Sequence, residues 1–233
     1  MSNFWIYQSS IDILTILILL MWATAALIIS KVPGLLSNMF IALVSNRGED
    51  FRTFITRFMS QGIFVHLSHI MSALGIAIVV YNFYLTQNML SLADFNETIS
   101  FLAFFTVIIL AFFLIRRIIY HILGYIFLKK ISVKEFLQQY YLLEWVWYFF
   151  LLPTMLLTLL PETRLIAIYI FIFFFVVWRI LVCISLLRIN RSEMGNPLHL
   201  FLYLCAHEIL PFVYAAVGIN YLVNSNTYLM IIS

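Results

Sequence analysis

The sequence predicts an all-α integral membrane protein, a single domain over residues 1–233 that forms a bundle of six transmembrane helices. Of the 233 residues, 64% are hydrophobic and only 10% are charged, whereas soluble domains carry about 25% charged residues. The apolar residues are also grouped in runs of about 20, the helical length that crosses about 30 Å of hydrocarbon. Open strands cannot cross lipid with unpaired backbone groups, so helices are the expected elements.

Six apolar runs are long enough to span a membrane, and each is expected to form one helix. They cover residues 11–30, 62–85, 99–128, 136–160, 163–187 and 198–222. No Lys or Arg precedes the first run, whereas a cleavable signal peptide begins with basic residues. The first run is therefore expected to remain as a transmembrane helix.

The basic residues predict the orientation of the bundle. They lie in three alternate connections, and the connections on the opposite side carry only Arg164. The three basic connections contain Lys31, Arg47, Arg52, Arg57, Lys129, Lys130, Lys134, Arg188 and Arg191. Cytoplasmic loops carry an excess of Lys and Arg. These connections are therefore expected in the cytoplasm and both termini outside, which is an N-out/C-out topology.

The longest connection, residues 31–61, predicts one short cytoplasmic helix. Its apolar residues repeat at helical spacing opposite a polar face, and they are Phe51, Phe54, Ile55, Phe58 and Met59. The polar face carries Arg52 and Arg57. Apolar and cationic faces of this kind suit the headgroup layer of a membrane, so we expect an interfacial helix. A helix that binds a protein partner would show the same pattern.

Ionisable residues inside the spans are the natural candidates for a functional site, because a charge at mid-bilayer costs about 2.5–3.5 kcal/mol. Five such residues are expected at similar depth: His121, Glu144, Arg179, His207 and Glu208. Together with Arg117 they form a predicted intramembrane polar network. The expected counter-charge of Arg179 is Glu208 on the next helix or Glu144 on the preceding one. These long side chains could instead extend to the headgroups, which would make their role purely structural.

Within the third span, Arg117, Tyr120, His121 and Gly124 follow one another at spacings that place them on one helix face. That face combines a cation, two hydrogen-bonding rings and a residue that allows close helix approach. It is expected to face the interior of the bundle.

Two prolines are expected to kink their helices, Pro153 in the fourth span and Pro211 in the sixth. A proline removes one hydrogen bond of the helix and clashes with the carbonyl four residues earlier. At Pro211 that carbonyl belongs to His207, beside Glu208. Such a kink suits an ion or proton site, although prolines also serve as plain packing residues in membrane helices.

Histidines on facing helices give a weak indication of haem binding, because neutral imidazole is a common iron ligand. The candidates are His66, His69, His121 and His207. A buried histidine more often makes an ordinary hydrogen bond. No cofactor is therefore expected.

Signatures of metal sites and of catalysis are missing from the sequence. The segment HEILP lacks the second histidine of a zinc-binding helix, and Cys183 and Cys205 lack metal-ligand spacing. There is no nucleophile elbow and no phosphate-binding loop. We therefore expect no metal and no catalytic residues. The net charge of +3 follows from the loop bias, so nucleic-acid binding is not expected.

The segment LYLCAHEILPFV, residues 202–213, together with six spans and the basic segment FRTFITRF, resembles a family of integral membrane proteins of unknown function described mainly from Bacteroidota. That family ends in a similar LYLCxxEILP segment. The resemblance implies a bacterial inner membrane and draws attention to Glu208 and Pro211. It implies no activity.

The sequence favours a non-enzymatic accessory or assembly subunit of a bacterial inner-membrane complex, because the chain consists almost entirely of spans and short loops. Its expected partners are the lipid bilayer and either another membrane protein or further copies of itself. The alternative is a small proton-coupled transporter or permease, in which Glu208 carries the proton and Arg179 adjusts its proton affinity.

Overall fold

The computed structural model describes residues 2–45, 47–86, 95–127 and 130–190, and the separate residues 213, 214, 217, 218, 220 and 221. The continuous stretches contain seven helices and no strands: α1 Ser2–Lys31, α2 Leu35–Ser45, α3 Gly48–Ile55, α4 Gln61–Thr86, α5 Phe95–Phe127, α6 Lys130–Leu159 and α7 Arg164–Asn190. Five of these, α1 and α4–α7, are long and apolar enough to cross a membrane. The chain is therefore a multi-pass membrane protein with a helical fold.

The first five predicted spans agree with these five helices to within a few residues, apart from additional turns at some helix ends. The sixth predicted span, residues 198–222, lies largely outside the described residues. The separate residues described there, such as Val213 and Tyr221, are helical. The sixth span and the N-out/C-out orientation remain predictions.

Helix α6 lies at the centre of the described bundle and contacts each of the other six helices. Its two buried tryptophans pack in opposite directions. Trp145 stacks on Phe64 of α4 with 4.1 Å between ring centroids, and Trp147 stacks on Trp178 of α7 at 5.0 Å. Aromatic rings in such pairs contribute beyond the area they bury. The Trp145–Phe64 and Trp147–Trp178 pairs therefore fix the positions of α4 and α7 on the two sides of α6.

The outer surface of the long helices is apolar, as a lipid environment requires. Leu27 of α1, Val107 of α5 and Phe173 of α7 each expose more than half of their surface. An apolar surface of this extent would be a liability in water. It is compatible with contact between these helices and lipid acyl chains.

The connection between α1 and α4 differs from the prediction of one interfacial helix over residues 51–59. It contains two helices, and the second, α3, ends at Ile55. Phe51 and Ile55 are buried, and the Phe51 ring lies 6.1 Å from that of Phe64 in α4. The apolar face of α3 therefore packs on the bundle, and its position in the membrane interface stays a prediction. Burial against α4 and α6 removes this face from both water and lipid.

Helix α2 was not predicted, and it has the exposed apolar surface that α3 lacks. Phe40, Ile41 and Val44 are mostly exposed, whereas Leu35 and Met39 are buried. Residue Gly34, with φ of 74°, makes the turn between α1 and α2, a conformation that glycine adopts without steric cost. The exposed face of α2 is therefore the one suited to contact with lipid.

Candidate functional site

The centre of the candidate site is a contact between His69 of α4 and Glu144 of α6. The Nε2 atom of His69 lies 3.2 Å from Oε1 of Glu144. Only 8% of His69 and 4% of Glu144 is exposed. His69 lies eight residues after the start of α4 at Gln61, which is about 12 Å along the helix at a rise of about 1.5 Å per residue. Both residues belong to candidate membrane spans, so the pair lies inside the apolar part of the bundle.

The other ring nitrogen of His69 is also engaged, because Nδ1 donates to the carbonyl of Val65 at 2.7 Å. The rings of Phe113 and Tyr141 meet the imidazole edge-on, at 5.9 and 6.5 Å between centroids. The haem role of His69 stays a prediction, and the contact that the structure shows for its Nε2 atom is with Glu144.

A buried arginine on α5, Arg116, lies close to the pair. Its Nη2 atom donates to the Tyr120 hydroxyl at 2.8 Å, and its guanidinium lies 5.3 Å from the centre of that ring. The guanidinium also lies 5.4 Å from the ring of Tyr140 on α6. Contact of this kind with aromatic faces helps a cation to tolerate burial.

The face of α5 that points into the bundle is not the face that was predicted from the sequence. Arg116 and Tyr120 are buried, whereas Arg117 is partly buried and His121 is exposed. The prediction that Arg117 and His121 share an inward face is therefore wrong for His121. The helix is apolar on all sides, so a rotation of one residue alters its hydrophobic pattern little.

Arg179 of α7 approaches the same tyrosine from the opposite side. Its guanidinium lies over the Trp178 ring at 3.6 Å and hydrogen-bonds the Tyr140 hydroxyl. Tyr140 therefore lies between the arginines of α5 and α7. The contact observed for Glu144 is with His69, and the predicted pairing of Arg179 with Glu208 involves a residue outside the described part of the chain.

Arg117 contacts the pair indirectly, because its guanidinium lies 5.5 Å from the ring of Tyr141, which in turn meets His69. We call the side chains brought together here the polar layer. It consists of His69, Arg116, Arg117, Tyr140, Tyr141, Glu144 and Arg179. Four long helices contribute to it, and α6 contributes the three residues at its centre.

Glu144 offers a further acceptor in this layer. Its Oε1 atom contacts His69, while Oε2 is buried and has no hydrogen-bond partner within the described ranges. A buried acceptor usually has a partner, either a protein group or an ordered water. The carboxyl group can therefore accept a further hydrogen bond while it remains in contact with His69.

The remaining predicted site residues lie away from the polar layer or outside the residues that the structure describes. His66 is exposed, and Pro153 is an exposed residue inside the continuous helix α6. His207, Glu208 and Pro211 lie outside the described residues. The predicted kinks and the predicted role of Glu208 therefore remain predictions.

The sequence interpretation omitted Arg116, Tyr140 and Tyr141 from the network and assigned His69 only to haem. The sequence did contain one indication that Arg116 faces the interior of the bundle. Phe105, Ile109, Phe113 and Tyr120 are buried at helical spacing along α5, and Arg116 lies on that same stripe. Nothing in the sequence alone relates His69 to Glu144, because the two residues lie on helices that are separated by α5.

The chain was compared with known protein families, with curated proteins and with solved structures. No curated protein and no solved structure matches it. A family described as a domain of unknown function, DUF4271, matches residues 14–219. This match confirms the resemblance to a family of unknown function, while the Bacteroidota origin and the shared C-terminal segment remain predictions. Because the match covers most of the sequence, the chain belongs to the DUF4271 family.

Proposed function

We propose that the protein is a small proton-coupled transporter of the bacterial inner membrane in which the exchangeable proton lies between His69 and Glu144. The observation that supports this function is the buried contact of 3.2 Å between the two side chains, on helices able to span a membrane. Ionisable residues are costly in a span, and chains of Glu and His are typical of proton relays. The sequence favoured Glu208 with Arg179 as the proton carrier, and Glu208 lies outside the described residues. The carrier proposed from the observed contact is Glu144 with His69.

The hydrogen bonds of His69 define how many protons the pair holds. The Val65 carbonyl can only accept, so Nδ1 must carry a hydrogen. The contact between Nε2 and Oε1 then needs one further proton, which can belong to either group. The pair is an imidazolium with a carboxylate in one form and a neutral imidazole with a carboxylic acid in the other. Both forms keep the hydrogen bond and the same net charge.

Gain or loss of a proton changes this contact. Loss of the shared proton leaves the Nε2 lone pair facing a carboxylate oxygen, and the two repel each other. Gain of a second proton leaves an uncompensated positive charge in a buried layer that already holds Arg116 and Arg117. Protonation of the pair is therefore coupled to the packing of α4 against α6, as a proton-driven conformational cycle requires.

The test uses purified protein in lipid vesicles that contain a pH-sensitive dye. A small-molecule extract of cells supplies candidate substrates outside, and an acid pulse supplies the proton gradient. We expect faster acidification of the lumen than in protein-free vesicles. The substitutions Glu144→Gln and His69→Gln should each reduce it to the protein-free rate, because neither variant can share a proton across this contact.

The matched control is Glu135→Gln, the same substitution on the same helix at an exposed position. This variant should keep the wild-type rate. Equal rates for wild type and Glu144→Gln, with both above the protein-free rate, would overturn the role of the pair. No difference between wild-type and protein-free vesicles would count against proton-coupled transport itself.

A second candidate is the accessory or assembly subunit of an inner-membrane complex, and the position of α3 favours it. Because Phe51 and Ile55 hold this helix on the bundle, its polar face, with Thr53 exposed and Arg52 partly exposed, is directed outward. This face carries Glu49 and Asp50 as well as Arg52, so it suits a partner protein whose surface carries complementary charges of both signs. Extraction in mild detergent should then yield a companion protein in fixed stoichiometry. Recovery of the chain alone or as a homo-oligomer would count against this role.

A further inference from the structure

A small cavity lies beneath α3, where this helix covers the ends of α4 and α6. Its volume is about 20 Å³, and its walls include Arg52, Gln61, Val65, Gln138, Tyr141 and Leu142. A water molecule needs roughly 10–15 Å³ measured in this way, together with polar neighbours. The cavity is therefore large enough for one water.

Most of the cavity wall is apolar, and polar side chains reach it from Arg52 and Gln61 on the outer side and from Gln138 on the inner side. Arg52 and Gln61 are partly exposed, whereas Gln138 is 5% exposed. The Oε1 atom of Gln138 is a buried acceptor that has no hydrogen-bond partner among the residues the structure describes. A buried amide oxygen next to a water-sized space is the usual setting for an internal water.

Two residues of the cavity wall also contact His69. The carbonyl of Val65 accepts the hydrogen bond from Nδ1, and the ring of Tyr141 meets the imidazole at 6.5 Å. Val65 and Tyr141 therefore border both the cavity and the imidazole of His69.

We propose that this cavity is a water site through which the end of the bundle that carries α3 exchanges protons with His69 and Glu144. The inference rests on the proposed proton-linked function and adds the route by which the proton arrives. Gln138 holds the water. Val65 and Tyr141 form the wall between that water and the imidazole, and a transient separation of these two residues lets the proton pass from the water to the His69–Glu144 pair.

Helix α3 covers this site and is held in place at two points. Gly48 lies against the backbone of α6, and an added Cβ would lie 2.6 Å from the Gln139 nitrogen. One turn further along α6 from this contact, towards its N-terminus, Lys134 pairs with Glu49 at 3.3 Å. The outer wall of the cavity therefore depends on a close contact between backbones and on an ion pair at its edge.

The proposal is tested by hydrogen–deuterium exchange of cysteine thiols, followed through their infrared S–H stretch in lipid nanodiscs. Cys183 and Cys205 are first replaced by alanine. Single cysteines are then placed at Gln138 and Leu142, which line the cavity, and at Gln139 and Leu143, which are their buried neighbours outside it. Each cavity position thus has a control of the same residue type at nearly the same depth.

We expect the thiols at positions 138 and 142 to exchange at least about tenfold faster than those at 139 and 143, whose exchange requires local opening of the bundle. Equal rates within both pairs would overturn the water site. If a cysteine variant at one cavity position fails to fold, the rates at the other cavity position and its control still decide whether the cavity holds water. Thiol exchange does not depend on transport. If the protein moved no protons, the proposed function would be rejected, but the exchange rates would still decide whether the cavity holds water.

In vesicles that show proton uptake, Gln138→Leu should slow it by at least about tenfold while the His69–Glu144 pair stays intact, because the acceptor for the water is lost. Unchanged uptake in this variant would show that protons reach the pair by another route, whatever the thiol exchange shows.

Discussion

Glu144 of α6 lies with its Oε1 atom 3.2 Å from Nε2 of His69 on α4, and both side chains are almost fully buried. Loss of one partner leaves a polar or charged group alone in an apolar interior. We expect His69→Leu to lower the free energy of unfolding by about 3 kcal/mol, which is the usual cost of breaking a buried pair. Thermal and denaturant unfolding in detergent measure this.

The double variant His69→Leu/Glu144→Leu distinguishes a true pair from two separate packing effects. If the two side chains interact, the double variant loses less stability than the sum of the single variants, by roughly 0.5–3 kcal/mol. Additive losses would contradict the interaction.

Gly48 is expected to be intolerant of any side chain. An added Cβ would lie 2.6 Å from the Gln139 nitrogen and 2.8 Å from the Gln138 carbonyl carbon, and these backbone atoms cannot move aside alone. The substitution Gly48→Ala should lower stability by about 1–3 kcal/mol. Because α3 would separate from α6, trypsin should also cleave faster at Arg52 and Arg57.

Gly62→Ala is the matched control, because an added Cβ there meets nothing within 4 Å. In a helix this change should stabilise by up to about 1 kcal/mol. Equal effects of the two substitutions would mean that close contact between α3 and α6 is unimportant.

The hydroxyl of Tyr148 connects the centre of α6 to α1, since it donates to the Met21 carbonyl at 2.7 Å. Tyr148→Phe keeps the ring and removes this hydrogen bond, so a loss of about 1 kcal/mol is expected. Tyr169→Phe, at a position that is 65% exposed, should be neutral. A denaturant series on both variants checks the difference.

The orientation of the bundle can be tested at the C-terminus. The distribution of Lys and Arg predicts that Ser233 lies outside the cytoplasm. A phosphatase fused after Ser233 should therefore be active, and a green fluorescent protein at the same place should be dark. The opposite pattern would contradict the predicted N-out/C-out topology of six spans.

The first five membrane helices could be predicted from the sequence because their existence depends on local composition. A run such as residues 62–85 is apolar enough to enter lipid whatever its neighbours do. The functional layer was predicted only in part. Glu144, Arg117 and Arg179 were placed in the predicted network because of the cost of charges in a span, whereas Arg116 and the partnership of His69 with Glu144 were not part of it.

The inward face of each helix is harder to read from the sequence, because lipid and bundle interior are equally apolar. Arg116 and His121 lie about 140° apart around α5, yet the helix is so apolar on all sides that the hydrophobic pattern does not show which of them is buried. Similarly, the apolar stripe of α3 suited the membrane surface as well as it suited α6. The composition of the chain by itself determined a helical membrane protein with charged residues inside its spans. Only the tertiary structure decided which faces meet, because that choice depends on packing and hydrogen bonds between distant segments.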